Sequence, residues 1–481
     1  MEQTLLTKKM LLAGEWVTRE KKISVENPQN GEIIAQIPVA NKEDALFAIE
    51  EGVKGAKIAS RLSVFERMSI LNRAANWIEE RKRLFAQTIS LEGSKTIREA
   101  RKEVKRCIQT IRISAEETRR LHGKTLSFDQ MEGNENRIGY YQRLPIGLIV
   151  AITPFNDPLN LVAHKLGPAI AAGNAIIIKP STVTPLSALL LAEAFEQAGL
   201  PKKVLSVLPG HSSEIGDVLV SHPAVRMISF TGGYEVGKEI ASKAGVKKLS
   251  MELGSNSPCI VLKDAEIKEA VESIVSGAFW AAGQNCIGVQ RVYIEEELYA
   301  DFEEAIVYRT SQLQIGDKFS EKTDMGPLIT KKEAIRIENL VDEAISNGAH
   351  CLCGGKREGT YYLPTILTNV DAESKIAKEE LFGPVVILDS VKNLSEAIKK
   401  SNDVSYGLQA GIFTKNLDLA FRAIKELEYG GIMVNDSSDF RIDAMPFGGM
   451  KQSGIGREGV EFSIQEMTEL KVICFRLGYA H

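Results

Sequence analysis

The chain has 481 residues, 44% hydrophobic and 25% charged, with a formal net charge of −4. That is an ordinary globular composition, long enough for about three domains of roughly 150 residues each. The scattered, nearly balanced charge speaks against nucleic-acid or membrane-surface binding, and no apolar run reaches the roughly 18 residues that cross a bilayer.

Residues 1–9 are polar and mixed, which does not fit a signal peptide. Short strand-like pieces follow at Gly14-Glu15-Trp16-Val17 and Gly31-Glu32-Ile33-Ile34, then helical periodicity over 42–57, 63–89 and 97–120. From Gly147 the pattern alternates. Strands are expected at 147–153, 175–179, 204–208, 225–230 and 247–253, with helices at 161–172, 185–198 and near 213–220. Near-continuous apolar strands separated by helices describe a parallel sheet covered on both faces, which binds ligands at the carboxyl ends of its strands. A second alternating block runs from 258 to about 435, with strands at 258–262 and 289–294 and helices at 267–282, 297–312 and 331–347. The stretches 124–143 and 469–479 fit neither block. They read as an exposed hairpin and an edge strand, and pairing with another subunit is one way to cover such an edge.

The six cysteines, Cys107, Cys259, Cys286, Cys351, Cys353 and Cys474, are widely spread, as in a protein of the reducing cytoplasm rather than a disulfide scaffold. Cys351 and Cys353 have only His350 beside them to help complete a metal site. They read as part of a strand, and no metal is expected.

Two residues carry reactive chemistry. Cys286, in Gly283-Gln284-Asn285-Cys286, lies in a glycine-flanked loop after a helix, and Glu252 closes an apolar strand before Leu253-Gly254. A thiolate can attack an electrophilic carbon, and a carboxylate can activate water to release the product. Asn156, after Ile152-Thr153-Pro154-Phe155, is either a helix cap or an amide aimed at a developing oxyanion. Lys179, before Pro180-Ser181-Thr182, is either a surface lysine or an ammonium placed for a ribose or phosphate. Phe230-Thr231-Gly232-Gly233 leads into a helix whose start can hold phosphate, although the spacing is not the G-x-G-x-x-G fingerprint. Glu380-Leu381-Phe382-Gly383-Pro384 and Pro446-Phe447-Gly448-Gly449 read by themselves as turns.

Together and in this order, the motifs resemble the aldehyde dehydrogenase superfamily over essentially the whole chain. The resemblance implies an α/β fold, with a Rossmann-type parallel-sheet cofactor domain (1–119 and 142–251), an α/β catalytic domain (252–448) and a small β oligomerisation element (120–141 and 465–481). It implies Cys286 as nucleophile, Glu252 as general base, and an oxyanion hole from Asn156 and the Cys286 N–H. A thiohemiacetal and then a thioester would form on Cys286, and water would release a carboxylate. For the cofactor it implies Ile152, Thr153, Pro154, Lys179, Ser181 and Thr182, then Gly210 in the loop after Leu208. Phe230, Thr231, Gly232 and Gly233 would lie near the pyrophosphate, with Leu253, Glu380 and Phe382 completing the site.

The chain departs from the family at Gly233, where serine is usual, and at Thr182, where NAD-preferring members carry glutamate. The second departure removes a charge that repels a 2′-phosphate, so NADP is expected to be accepted, with NAD as the other candidate. The stretch Asn435-Asp436-Ser437-Ser438-Asp439-Phe440-Arg441 resembles the lactaldehyde, 3-sulfolactaldehyde and non-phosphorylating glyceraldehyde-3-phosphate dehydrogenase branch. Arg106, Asn285, Arg441 and Phe447 are the substrate-binding candidates, with His164 as a further residue of that pocket or a structural one. Asn285, where the phosphate-binding relatives have arginine, lowers the phosphate-bearing aldehydes. Lactaldehyde and 3-sulfolactaldehyde lead, with succinate semialdehyde behind. The presence of Glu252 argues against transfer to coenzyme A in place of water, and against a silent scaffold protein. A homodimer or homotetramer is implied.

Overall fold

A computed structural model describes residues 6–478. Two large sheets organise it. The first has eight strands in the spatial order Gly454–Ile455, Lys248–Glu252, Met227–Thr231, Leu148–Ile152, Ala175–Lys179, Leu205–Val207, Met10–Leu12 and Glu15–Val17. The five strands from Lys248–Glu252 to Leu205–Val207 are parallel, and antiparallel strands close both edges. Alternation decides which core each side chain joins. Ile149, Ala151, Ile176 and Ile178 pack with the helices Val64–Glu80, Ile97–Thr118, Asn160–Ala172 and Leu186–Gln197. Leu148, Val150, Ile177 and Ile228 pack on the other face with Lys42–Ala59 and Tyr234–Ala244. With both faces covered, truncating one of these isoleucines to alanine costs about 2–5 kcal/mol.

The second sheet has seven strands in the order His350–Cys353, Thr365–Thr368, Val385–Val391, Val289–Glu295, Ser257–Val261, Gln409–Phe413 and Gly431–Val434. Only His350–Cys353 pairs antiparallel. A separate three-stranded sheet joins Lys124–Leu126, Arg137–Pro145 and Thr468–Arg476, the last as an edge. It exposes Ile138, Tyr140, Leu470, Val472 and Phe475. Residue 479 of the predicted edge strand lies outside the described residues.

Several boundaries differ from the sequence reading. The helix expected over 63–89 is two, Val64–Glu80 and Lys82–Glu92, broken at Arg81 (φ −113°, ψ 19°). Buried Ile78, Phe85 and Ile89 keep one apolar phase across the break, so periodicity does not reveal it. Near 213–220 a wide turn, Ser212–Gly216, precedes the short helix Asp217–Ser221. The helix from Ile267 ends at Phe279, and Ala281 and Ala282 are left-handed (φ 50° and 57°). Residues 449–464, which the sequence reading assigned to no domain, return to the first sheet. Gly454–Ile455 pairs with Lys248–Glu252, and Val460 and Ile464 enter the core around Asn160–Ala172.

Buried glutamates of two helices, Lys82–Glu92 and Ile97–Thr118, fix three loops. Thr96 and Glu99 form a capping box, and Glu99 also accepts the Ala281 N–H at 2.8 Å. Glu103 accepts the N–H groups of Leu159 and Asn160 at 2.9 and 3.0 Å, and Glu92, just upstream, accepts those of Leu186 and Ser187 at 2.6 and 2.7 Å. Each carboxylate satisfies donors that a helix start or strained turn leaves over.

Candidate active site

Two cavities lie between the large sheets and meet at Asn156, Leu161 and Cys286, which line both. The larger, about 540 Å3, is walled by the carboxyl ends of the first sheet's strands. Ile152 ends one strand, with Thr153 and Pro154 after it. Lys179 ends the next, with Ser181 and Thr182 beyond, and Phe230 and Thr231 end a third, with Gly232 and Gly233 after them. Glu252 and Leu253 come from the fourth, and Glu380 and Phe382 close the cavity from the side of the second sheet. Gly210 is not in this wall. A Cβ there would lie 3.0 Å from Ile215 Cδ1 and 3.1 Å from the Ala40 carbonyl, so its packing is inward, and the neighbouring His211 and Ser212 line the cavity instead.

The wall carries polar groups without protein partners. Thr153 Oγ1 and Thr231 Oγ1 are buried with no hydrogen bond to the described residues. Lys179 is 4% exposed and has no ion pair among the described residues, and burial lowers its ammonium to about 8. Glu380 accepts the Ser255 N–H at 3.0 Å, and burial raises it to about 7. Its position needs a glycine opposite, because a Cβ on Gly254 would lie 2.5 Å from Glu380 Oε2. Gly233 is the N-cap of Tyr234–Ala244 and makes no side-chain cap, so the first N–H groups of that helix keep no side-chain acceptor there. A Cβ at Gly233 would meet nothing within 4 Å, so space does not demand the glycine. Orphaned hydroxyls, a buried cation and a helix start suit a ligand rich in hydroxyls and phosphates. Phe382, itself left-handed (φ 48°), sets its ring edge-to-face with Phe155 at 5.7 Å.

At the junction, Cys286 is partly buried. Burial pushes its thiol up to about 12, and the positive Arg441 acts against that rise. The loop before it is strained. Ala281, Ala282 and Gly283 are left-handed in succession, and a Cβ on Gly283 would lie 2.2 Å from the Gly383 carbonyl. The two alanines hold a backbone conformation that costs about 1–2 kcal/mol each, against the Ala281 N–H bond to Glu99 that holds the turn. Asn156 does not cap a helix. The next one, Asn160–Ala172, has Leu159 at its N-cap and gives its first N–H groups to Glu103. The Asn156 side chain is left facing the junction of the cavities.

Glu252 is 3% exposed, and neither carboxyl oxygen has a hydrogen-bond partner among the described residues. Burial, and then the negative Glu458, push its carboxyl well above the usual range. Glu458 has the opposite fate. Burial would raise it, but Lys165 at 2.9 Å and Arg441 at 3.1 Å hold it well below that range. Gly448 leaves space beside Glu252, since a Cβ there would lie 3.1 Å from Oε1. A thiol, a free amide and an unpartnered carboxyl on one cavity wall form a set that can add sulfur to a carbonyl, hold the oxyanion and activate water.

The smaller cavity, about 310 Å3, is lined by Arg106, Asn285, Arg441 and Phe447. Both arginines are already paired. Arg106 reaches Asp443 at 2.8 Å and Asp157 at 3.3 Å, and Arg441 binds Glu458 and stacks on Phe447, 3.7 Å from the ring centroid. His164 lines neither cavity. It is fully buried behind the wall, with Nε2 2.8 Å from Asp443 Oδ1, and burial lowers it. Sequence reasoning passed over Lys102 and Trp280, and took Asp436 and Asp439 only as part of the stretch 435–441; all four also line this cavity. The spacing of Lys102 and Arg106, one turn apart on a helix, was the available signal.

Comparison with known proteins agrees with this geometry. The sequence model of the aldehyde dehydrogenase family matches residues 16–473. An aspartate-semialdehyde dehydrogenase of Pseudomonas canavaninivorans is 49% identical over 458 residues, 95% of this chain and 97% of the relative. A 3-sulfolactaldehyde dehydrogenase of Priestia aryabhattai is 46% identical over 466 residues, 96% of this chain and 97% of the relative. The crystal structure of an NADP-dependent glyceraldehyde-3-phosphate dehydrogenase from Bacillus halodurans, complexed with NADP, superposes with a TM-score of 0.96 at 38% identity, covering 98% of this chain and all of that one (100%). With its two-sheet fold and a match across nearly its full length, the chain belongs to the aldehyde dehydrogenase family.

Proposed function

We propose that this protein oxidises a short polar aldehyde to its carboxylate, with Cys286 as nucleophile, Glu252 as general base and Asn156 as oxyanion donor. The observation that carries the reading is the meeting of the two cavities at Cys286 and Asn156, with Glu252 on the wall of the larger. NADP or NAD is held in the larger cavity, with Lys179 and Glu380 toward its two riboses and the Thr231-Gly232-Gly233 turn toward its phosphates. When bound, the nicotinamide supplies the hydride acceptor. Thr182 introduces no negative charge beside a 2′-phosphate, which supports acceptance of NADP.

Cys286 must lose its proton before attack, and its buried thiol makes that step costly, so the base and Arg441 both bear on it. The sulfur adds to the aldehyde carbon, and the carbonyl oxygen takes the negative charge. The Asn156 amide and the Cys286 N–H donate to that oxygen. Once the carbon is at the acyl level, as a thioester on Cys286, Glu252 takes a proton from water and hydroxide displaces the sulfur.

The substrate is a small aldehyde with a 2-hydroxyl or an acid group, as in lactaldehyde and 3-sulfolactaldehyde, ahead of succinate semialdehyde and glyceraldehyde 3-phosphate. A cavity of about 310 Å3 walled by polar residues and Phe447 supports that size and polarity. The first sheet with its helices serves the cofactor and the second carries the cysteine. The three-stranded sheet, with an edge strand and exposed apolar side chains, joins copies into a homodimer or homotetramer.

Replacing Cys286 with alanine tests the reading. The variant is expected to lose NAD(P)H production with every aldehyde while still binding the cofactor, measured by calorimetry. Turnover above a few per cent of wild type would remove Cys286 from the mechanism.

A further inference from the structure

The turn that leads to Cys286 holds a shape its own residues disfavour. Ala281 and Ala282 are left-handed, with φ of 50° and 57°. Alanine lacks both the freedom of glycine and the short polar side chain with which asparagine tolerates that region. Both residues are buried, 2% and 1% exposed. As the best helix former, alanine would otherwise continue the helix Ile267–Phe279. Such a backbone persists only where its neighbours over-determine it.

Two side chains do so. Glu99, itself buried, divides its carboxylate between two duties. Oε1 accepts the Ala281 N–H at 2.8 Å, and Oε2 accepts the Thr96 N–H at 2.8 Å and the Thr96 hydroxyl at 3.1 Å. Burial raises the Glu99 carboxyl, and the Ala281 N–H leads the contacts that oppose the rise. Gln284 takes the far side of Ala281. Its Nε2 donates to the Ala281 carbonyl at 2.9 Å, and its Oε1 accepts the Ile329 N–H at 2.9 Å. Beyond the cysteine, the Ile287 carbonyl accepts the Ser438 hydroxyl at 2.7 Å. Cys286 is therefore strung between fixed points. The helix of Glu99 packs in the core of the first sheet, while Phe279 and Ala282 pack in that of the second, so this carboxylate ties the loop of the thiol to the other sheet's core.

We propose that Glu99 is a positioning residue for the nucleophile: its Oε1 holds Ala281 and Ala282 left-handed, and that turn aims the Cys286 sulfur and the Cys286 N–H at the aldehyde. The inference rests on the reading of Cys286 as nucleophile and adds to it the group that orients it. Without the tie the two alanines relax toward the helix, Gln284 loses its fixed partner, and the sulfur leaves the junction of the cavities. Glu99 touches neither substrate nor cofactor, so the loss falls on the chemical step and not on binding.

The test uses the full-length enzyme with lactaldehyde and saturating NADP or NAD. It reads kcat, KM and the rate at which iodoacetamide alkylates Cys286, followed by peptide mass; the last reading needs no aldehyde. Glu99→Asp keeps a carboxylate for the helix start, as Asp44 serves Asn41 before the helix Lys42–Ala59, but is a methylene too short to reach Ala281 as well. It is expected to lower kcat and the alkylation rate about ten- to a hundredfold, with KM for the cofactor within about twofold of wild type. Adding Ala281→Gly and Ala282→Gly is expected to restore both rates to within about threefold, because glycine takes the left-handed turn without a tie. A contact that served stability alone would not be rescued in this way. Ala281→Val leaves the helix start untouched and is expected to lower kcat at least about tenfold, since a β-branched residue fits the left-handed region worse than alanine. A folded Glu99→Asp with wild-type kcat and alkylation overturns the inference. So does a glycine pair that restores neither rate or, should Glu99→Asp not fold, an Ala281→Val with undiminished kcat. Each of these leaves the aldehyde-oxidising reading standing, whereas a Cys286→Ala variant that still turns over aldehyde defeats both.

Discussion

The two cavities that meet at Cys286 are built in opposite ways. The larger is a row of strand ends. Its residues come in short runs such as Ile152-Thr153-Pro154 and Thr231-Gly232-Gly233, and three of its polar groups, Lys179, Thr153 and Thr231, have no partner among the described residues. The smaller draws on the helix Ile97–Thr118 and on the runs 284–287 and 439–441, and three of its six charged residues, Arg106, Asp157 and Arg441, are held in ion pairs. The difference teaches where specificity resides. A wall of unpartnered groups accepts a ligand that brings its own hydrogen-bonding atoms. A wall that carries fixed charges, some of them paired, admits only ligands that complement the charges left over.

The sharpest way to break this comparison is at the wall the two cavities share. Glu252→Gln keeps the shape but removes the base. Steady turnover is expected to fall about a hundred- to ten-thousandfold, while the first turnover still releases one equivalent of NAD(P)H, seen as a stopped-flow burst. Undiminished steady turnover would take Glu252 out of the second half-reaction. The wild type carries a related signature. Burial and Glu458 raise the Glu252 carboxyl well above its ordinary value, so its ionised share, and with it kcat, rises with pH. A kcat that stays flat from about pH 6 to pH 9 would mean that another step limits turnover or another group is the base.

Asn156→Ala sharpens the comparison from the opposite side of the sulfur. The amide caps no helix, so the fold has little to lose. The loss is expected in kcat, about a hundred- to a thousandfold, or roughly 3–4 kcal/mol of barrier. A melting temperature that falls while kcat holds would assign Asn156 to structure.

The contrast between the cavities also decides what could be read from sequence. Strand-and-turn runs are contiguous, so the loops after Thr153, Lys179 and Phe230 were legible, and their residues line one cavity. Gly210 does not line that cavity: a Cβ there would meet Ile215 and the Ala40 carbonyl, a packing choice that the sequence does not display. The left-handed Ala281 and Ala282 were unreadable for a stronger reason. Alanine is the best helix former, and the acceptor for the Ala281 N–H is Glu99, 182 residues earlier. Arg106 and Arg441 were legible as charges but not as pairs, because Asp443 and Glu458 claim them only once the chain returns to the first sheet. The leftover charges of Lys102, Asp436 and Asp439 are invisible until that pairing is known.

A smaller effect is expected at Thr182, on the wall whose polar groups are unpartnered. Glutamate there would place a negative charge near Lys179, which has no ion pair among the described residues, and near any phosphate on the adjacent ribose. Two like unit charges about 6 Å apart at an effective dielectric of about 20 repel by about 3 kcal/mol before salt screening. NAD has no 2′-phosphate and meets no such repulsion, while its 2′-hydroxyl can donate to the new carboxylate. Thr182→Glu is therefore expected to lower the NADP-to-NAD ratio of kcat/KM by about ten- to a hundredfold, with KM for NADP carrying the change and kcat for the aldehyde nearly constant. Raising the ionic strength should shrink the effect, because the site opens to solvent and the repulsion is screened. If the ratio does not move, the ribose phosphate is held away from the loop after Lys179, and the larger cavity does not sort cofactors by the charge at this position.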